Sequence, residues 1–443
     1  MTPRREDPRA QGEPWAPYEP TADAPWDLAR VVQLHRRAGF AATWAEVQRD
    51  LKDGPAASVA RVVDGTARIG KRSDEFESTS TLLADAAVAS GDVHRLRAWW
   101  VYRMLESPDP LLERLTLMWH GHFATAFSKV EDLALIRRQN DTLRRLARAP
   151  FADLLAEALR DPALLLYLDA PGNRKGHPNE NLARELMELF TLGIGPYTEA
   201  DVKEAARALT GRMVDDGQAI DLATKHDDGE KTVLGRKGRF GPADLAAILL
   251  DQPAAARRVA WRITDLLMGE RAVDDRALGL LADDLRANKL DVGHAVAKVL
   301  HSKAFFAPSN LRTRVLGPVE FVVGSCRALV PSGSTPSTLI VADWMSRLGQ
   351  ELFEPPNVGG WPGGRGWLTP RSLVGRANFA AALVEGRALG LPSPIDPLAV
   401  APGGSASALL LGIETAPKSR PDSPESSRRD LAALLASPEA QLG

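Results

Sequence analysis

His177-PNENLARELMELFTLGIGPYTEADVKEAARALT-Gly211 is the stretch whose reading decides the fold. Pro178 suits the first position of a helix, with Asn179 beside it as a cap. Leu182, Leu186, Leu189 and Phe190 recur at helical spacing, so the helix runs to about Thr191. Gly193 and Gly195 close it, and Pro196 forbids its continuation. Thr198 caps a second helix, with Asp201 three residues on as the capping-box partner. Val202, Ala205, Ala206 and Leu209 form its buried face, and Gly211 ends it. The stretch is therefore a pair of helices with a tight turn between them.

The polar arc of the first helix can be read two ways. Glu180, Arg184 and Glu188 stand four residues apart and can pair along a solvated face. Glu185, however, lies at the edge of the apolar stripe, and Glu185 and Glu188 can converge on one point. A half-buried carboxylate pair requires a cation, an arginine or a shared proton.

Outward from this stretch the pattern stays helical. Apolar periodicity dominates from Trp26 onward, so the chain reads as a mainly α, multi-helix globular protein. A small β excursion is expected over about 213–240, with Asp216-Gly217 as a hairpin turn. The length of 443 residues calls for one large helical domain or two closely packed ones. We place that domain at 25–390. The Pro-rich residues 1–24 read as a disordered arm, and the Ala/Pro/Ser-rich residues 391–443 as a flexible tail with a short helix around Arg429–Ala436. The formal net charge of −2 recruits no nucleic acid. One cysteine, Cys326, excludes an internal disulfide and a multi-thiolate metal site. No apolar leader segment and no span long enough for a bilayer are visible, which points to a cytoplasmic protein.

The helix DPLLERLTLMWHGHFAT, from Asp109 to Thr125, carries His120 and His122. Two residues apart on a helix, they point to nearly opposite sides, so at most one can join the carboxylates. Lys129 is a further cation within reach. His226, Asp227 and Asp228 form a turn or a flap over the glutamate helix. The segment FEPPNVGGWPGGRGW cannot be regular structure, and 353–370 is expected to be a packed loop. Its informative residues are Asn357, Trp361, Arg365 and Trp367. Nucleotide-binding glycine loops, HExxH and nucleophile elbows are not found.

Five ordered blocks resemble the bacterial domain-of-unknown-function family 1800. They are LHRRAGFAAT from Leu34, WHGHF from Trp119, the opening stretch, HDDGEKTVLG from His226, and FEPPNVGGWPGGRGWLTPRSLVGRANF from Phe353 to Phe379. The resemblance implies a fold and candidate residues, and no reaction. Members of that family often carry an export address, and often a tryptophan where this chain has Arg212.

Two functions follow from the residues. In the first, a helical enzyme uses Glu185, Glu188 and His120 for acid–base work or to hold a divalent metal, with zinc, manganese or iron suited to such ligands. His122, His177, Asn181 and Arg184 would support that site, and Asn357, Trp361, Arg365 and Trp367 would bind substrate. In the second, a non-catalytic protein offers the Pro/Gly/Trp loop to a protein partner.

Overall fold

A computed structural model describes residues 13–65, 71–331, 333–413 and 423–443. Among these the fold is mainly α, with two two-stranded antiparallel sheets as its regular β structure. β1 (Arg212–Asp215) pairs with β2 (Gln218–Asp221) around the expected Asp216-Gly217 turn, where both residues have positive φ. A second hairpin, β3 (Lys231–Val233) with β4 (Arg236–Gly238), was not expected as a pair. Its turn places Leu234 and Gly235 at positive φ. Leucine is a poor turn residue, and the conformation is held by Leu234 N–H donating to Asp201 at 2.7 Å.

The apolar side chains form two cores. One gathers Trp119, Phe123, Phe151 and Phe190, and the other Trp99, Trp100, Phe321, Phe353 and Phe379. The Pro110–His122 helix runs between them. Leu115 and Trp119 enter the first core, and Leu117 the second. Asp109 caps it by accepting from Leu112 N–H, and Pro110 opens it. Glu113, on its first turn, is fully buried and takes Arg103 and Arg144 at 2.8 Å each. Arg144 thus belongs to a buried ion network. A buried carboxylate needs such partners, since ionised and alone it would cost several kcal/mol.

The arm and the tail depart from the expectation. Residues 1–12 lie outside those described, but Trp15 is buried and donates its indole N–H to the Ala277 carbonyl at 2.8 Å. Tyr18 packs on Phe306 with ring centroids 4.7 Å apart. The tail helix is longer than read, Pro424–Ala436, and buries Leu431 and Leu435. Arg376 donates to the Gln441 side chain at 2.8 Å and to the Leu316 carbonyl at 2.7 Å, which fixes the end of the chain against the domain. Composition suggested flexibility because these segments are polar on average. A few large apolar anchors decide the matter instead.

Candidate functional site

The glutamate helix is the natural starting point. It begins as an α-helix, Asn181–Glu185, and widens into a π-helical turn over Leu186–Thr191. Leu192 N–H reaches back five residues to the Met187 carbonyl at 2.8 Å. The carbonyls exposed at its end are met from outside. Arg258 Nε donates to Leu189 O at 3.0 Å, and His122 Nε2 lies 3.0 Å from Phe190 O. A carbonyl only accepts, so His122 carries its proton on Nε2. Burial, reinforced by Arg262 and Arg258, pushes the His122 pKa well below the usual range, so the ring is neutral.

Glu185 and Glu188 sit half-buried beyond this turn. Burial raises the Glu185 carboxyl, and Glu188 beside it adds to the rise. Glu185 makes no hydrogen bond or ion pair among the described residues. Glu188 accepts from the Tyr197 hydroxyl at 3.1 Å. Glu180 and Arg184 follow the solvated reading: Arg184 bridges Glu180 at 3.0 Å and Glu199 at 2.8 Å. Lys129 pairs with Asp169 at 2.9 Å rather than with either glutamate. Asn181 donates to the Leu168 carbonyl at 3.3 Å and ties the helix start down. His177 is exposed, in a bridge to Arg174. Asp227 takes Arg207 at 2.8 Å and accepts from Gly229 N–H, so the His226–Gly229 segment is a turn on the Glu199–Ala208 helix.

His120 points the other way from His122, as the spacing demanded. It is fully buried among Trp100, Phe353 and Trp361, with ring centroids 5.2, 5.5 and 5.5 Å away. Neither ring nitrogen has a hydrogen-bond partner, and burial alone pushes its pKa down to about 3. The expected grouping of Glu185, Glu188 and His120 around a metal is not assembled. Among the described residues no three His, Cys, Asp or Glu side chains come together to hold one. The reason is the helix itself, which turns His120 into the aromatic core.

Trp361 leads to a second place. Gly360, at φ +86°, lies against the backbone of Gly121, and a Cβ there would run into the Gly121 carbonyl. This glycine-on-glycine crossing joins the WHGHF block to the GGWPGG run. Asn357 builds the preceding turn by accepting from Gly359 N–H at 2.9 Å. Trp367 is buried beside Gly317, and Arg365 is exposed. The loop thereby roofs a cleft of about 250 Å³, walled by Arg114, Arg262, Asp265, Glu270, Arg314 and Glu320.

The charges of this cleft are sharply tuned. Burial opposes the charge on Glu320, but Arg114 and Arg314 outweigh it and hold the carboxyl down at about 2. Arg314 donates to it at 2.6 Å, Gly317 N–H at 2.7 Å, and Arg114 pairs with it as well. Asp265 is shifted in the opposite sense. Burial raises its carboxyl, Arg262 and Arg314 oppose, and Glu270 and Glu320 add to the rise. Asp265 makes no side-chain hydrogen bond or ion pair among the described residues. The two carboxyls of one cleft are thus shifted in opposite senses, an arrangement that suits acid–base work.

The sequence pattern of the family described as protein of unknown function (DUF1800) matches residues 33–442, nearly the whole chain. The chain belongs to this family. No curated protein and no solved structure matches it. The DUF1800 match takes in the C-terminal helix, in keeping with its docking on the domain. Arg212 is buried and pairs with Asp221 at 3.0 Å. Among the described residues no helix is long and apolar enough to cross a membrane.

Sequence reasoning passed over the cleft walls. Arg262 and Asp265 stand three residues apart on the Pro253–Met268 helix, whose apolar periodicity shows a core-facing helix and no site. Glu320 follows Gly317-Pro318 as the third residue of a helix, where a carboxylate is an ordinary cap.

Proposed function

We propose that this DUF1800 protein binds a small polar molecule in the cleft under the Pro/Gly/Trp loop and performs acid–base chemistry on it. The observation that carries this reading is that Asp265, unpartnered among the described residues and with a raised carboxyl, lines the same cleft as Arg262, Trp361 and Trp367. Concave sites with a few convergent polar groups and aromatic walls suit small ligands. Burial raises the Asp265 carboxyl, so it holds a proton more readily than an ordinary carboxylate; Arg262 and Arg314 orient the ligand, and the tryptophans exclude water. The roles differ by residue, so the test separates them. Defined pools of small metabolites are passed over the purified protein, and retained molecules are identified by mass spectrometry. Trp361→Ala should lose retention. Asp265→Asn should keep retention and lose conversion. Equal retention by wild type and Trp361→Ala overturns the reading.

A second reading rests on Glu185. Its raised carboxyl and the Glu188–Tyr197 hydrogen bond support acid–base work on the outer face of the π turn, as the residue types suggested. It predicts that Glu185→Gln removes turnover while Trp361→Ala leaves it intact. The loop's tryptophans are turned into the molecule, so a protein partner would have to use its outer edge at Pro356 and Arg365.

A further inference from the structure

The walls of the cleft carry more positive charge than the described residues neutralise. Four arginines line it, Arg114, Arg262, Arg314 and Arg365, against Asp265, Glu270 and Glu320. Glu320 already serves two of the arginines and a backbone N–H. It is also the one carboxylate acting on three further buried guanidinium groups behind the wall. Those groups, on Arg36, Arg37 and Arg376, make no ion pair among the described residues, and their hydrogen bonds go to main-chain carbonyls, an amide oxygen and the Thr313 hydroxyl. Within the cleft, Arg262 Nη2 donates to the Met118 carbonyl at 3.0 Å, while its Nε is shut away from solvent without a partner. Arg114 Nε is in the same condition. A carboxylate or phosphate oxygen is the acceptor whose charge and geometry fit guanidinium groups lining such a cleft.

Resting on the cleft being the working site, we propose that its ligand is a compact oxyanion, a phosphate or carboxylate group, held by Arg262, Arg314 and Arg365 with Trp361 and Trp367 at its flanks. Arg365 stands at the open edge, where it can meet the anion on entry. Arg314 shares its charge between Glu320 and the ligand. Glu320, already met by its own partners, keeps Arg114 and Arg314 in place and leaves the N–H donors of Arg262 and Arg365 to the anion.

The test uses the full chain. Inorganic phosphate and malonate are titrated in by calorimetry, with chloride at matched ionic strength as the control, and a neutral arm uses malonamide. Wild type should bind phosphate or malonate saturably, and phosphate against malonate tells which oxyanion the cleft prefers. Arg262→Gln should weaken binding at least tenfold. Arg365→Gln should weaken it about threefold or more, and because Arg365 is exposed this variant keeps the fold and the test intact. Binding equal to chloride, or unchanged in both variants, overturns the proposal. If malonamide binds, is lost in Trp361→Ala, and the anions do not bind, the cleft stands as the site and its anion specificity falls. If no probe responds to Trp361→Ala, both fall.

Discussion

Gly121 and Gly360 touch each other, yet they are not equivalent. Gly360 has φ +86°, a conformation that costs an L side chain about 1 kcal/mol or more, and its Cβ would strike a carbonyl. Gly121 is helical, and its Cβ would meet Arg262 Nη2 at 3.6 Å and Trp361 Cε3 at 3.7 Å, ordinary contacts. Gly360→Ala should therefore destabilise the protein by roughly 2 kcal/mol or more. Gly121→Ala should be neutral, or stabilising by up to about 1 kcal/mol through helix propensity. Urea unfolding of both variants checks the contrast, and equal losses would show that the crossing is misplaced. His120 makes a second case. Its folded pKa of about 3 lies below the ordinary value, so its contribution is fully present above pH 6.5 and is lost as pH falls toward 3. Between pH 7 and 5 this one residue should remove about 2 kcal/mol of stability. His120→Phe fits the aromatic surroundings and discards two unpartnered nitrogens. It should be at least as stable as wild type at pH 5 and show a flatter stability profile. A steeper acid limb in that variant would mean the ring is solvated or paired.

The π turn shows how far an element is encoded locally. Its two outer hydrogen bonds come from His122 and Arg258, 68 and 69 residues away along the chain. His122→Leu should leave Phe190 O without a partner and cost about 1–3 kcal/mol. The readout is amide exchange over 186–192, which should quicken more than exchange in the Glu199–Ala208 helix. Uniform quickening would mean that the histidine serves general packing. The second helix of the pair was legible because its signals are its own: Thr198 and Asp201 form the capping box as read, and Gly211 follows the last turn at φ +84°. The opposed faces of His120 and His122 were legible for the same reason, since two helical steps fix them. The π turn, the Leu234-Gly235 hairpin and the cleft were not. Each depends on residues brought in from elsewhere: Asp201 for the hairpin, and five separate stretches of chain for the cleft. The carboxylates of greatest electrostatic interest, Asp265 and Glu320, sit in positions where a sequence shows only a helix face and a cap.

At the scale of the molecule, docking of the described segments 13–24 and 423–443 depends on single side chains, which average composition does not weigh. Leu431 is buried where the Pro424–Ala436 helix packs on the Pro370–Glu385 helix. Leu431→Ala should cost about 2–4 kcal/mol, the range for a buried leucine, whereas a flexible tail would tolerate it. Denaturant titration distinguishes the two. A loss below about 0.5 kcal/mol would show that the segment does not depend on that contact.

The Pro110–His122 helix, lying between the two cores, has a thermal consequence. A chain of this length with two apolar cores invites two melting events, one for each. Here neither core can be dismantled without stripping a wall from the other, since Leu115 and Trp119 serve one and Leu117 the other. Heating should therefore give a single endotherm whose van't Hoff and calorimetric enthalpies agree. Two resolved peaks would mean that this helix belongs to one core alone.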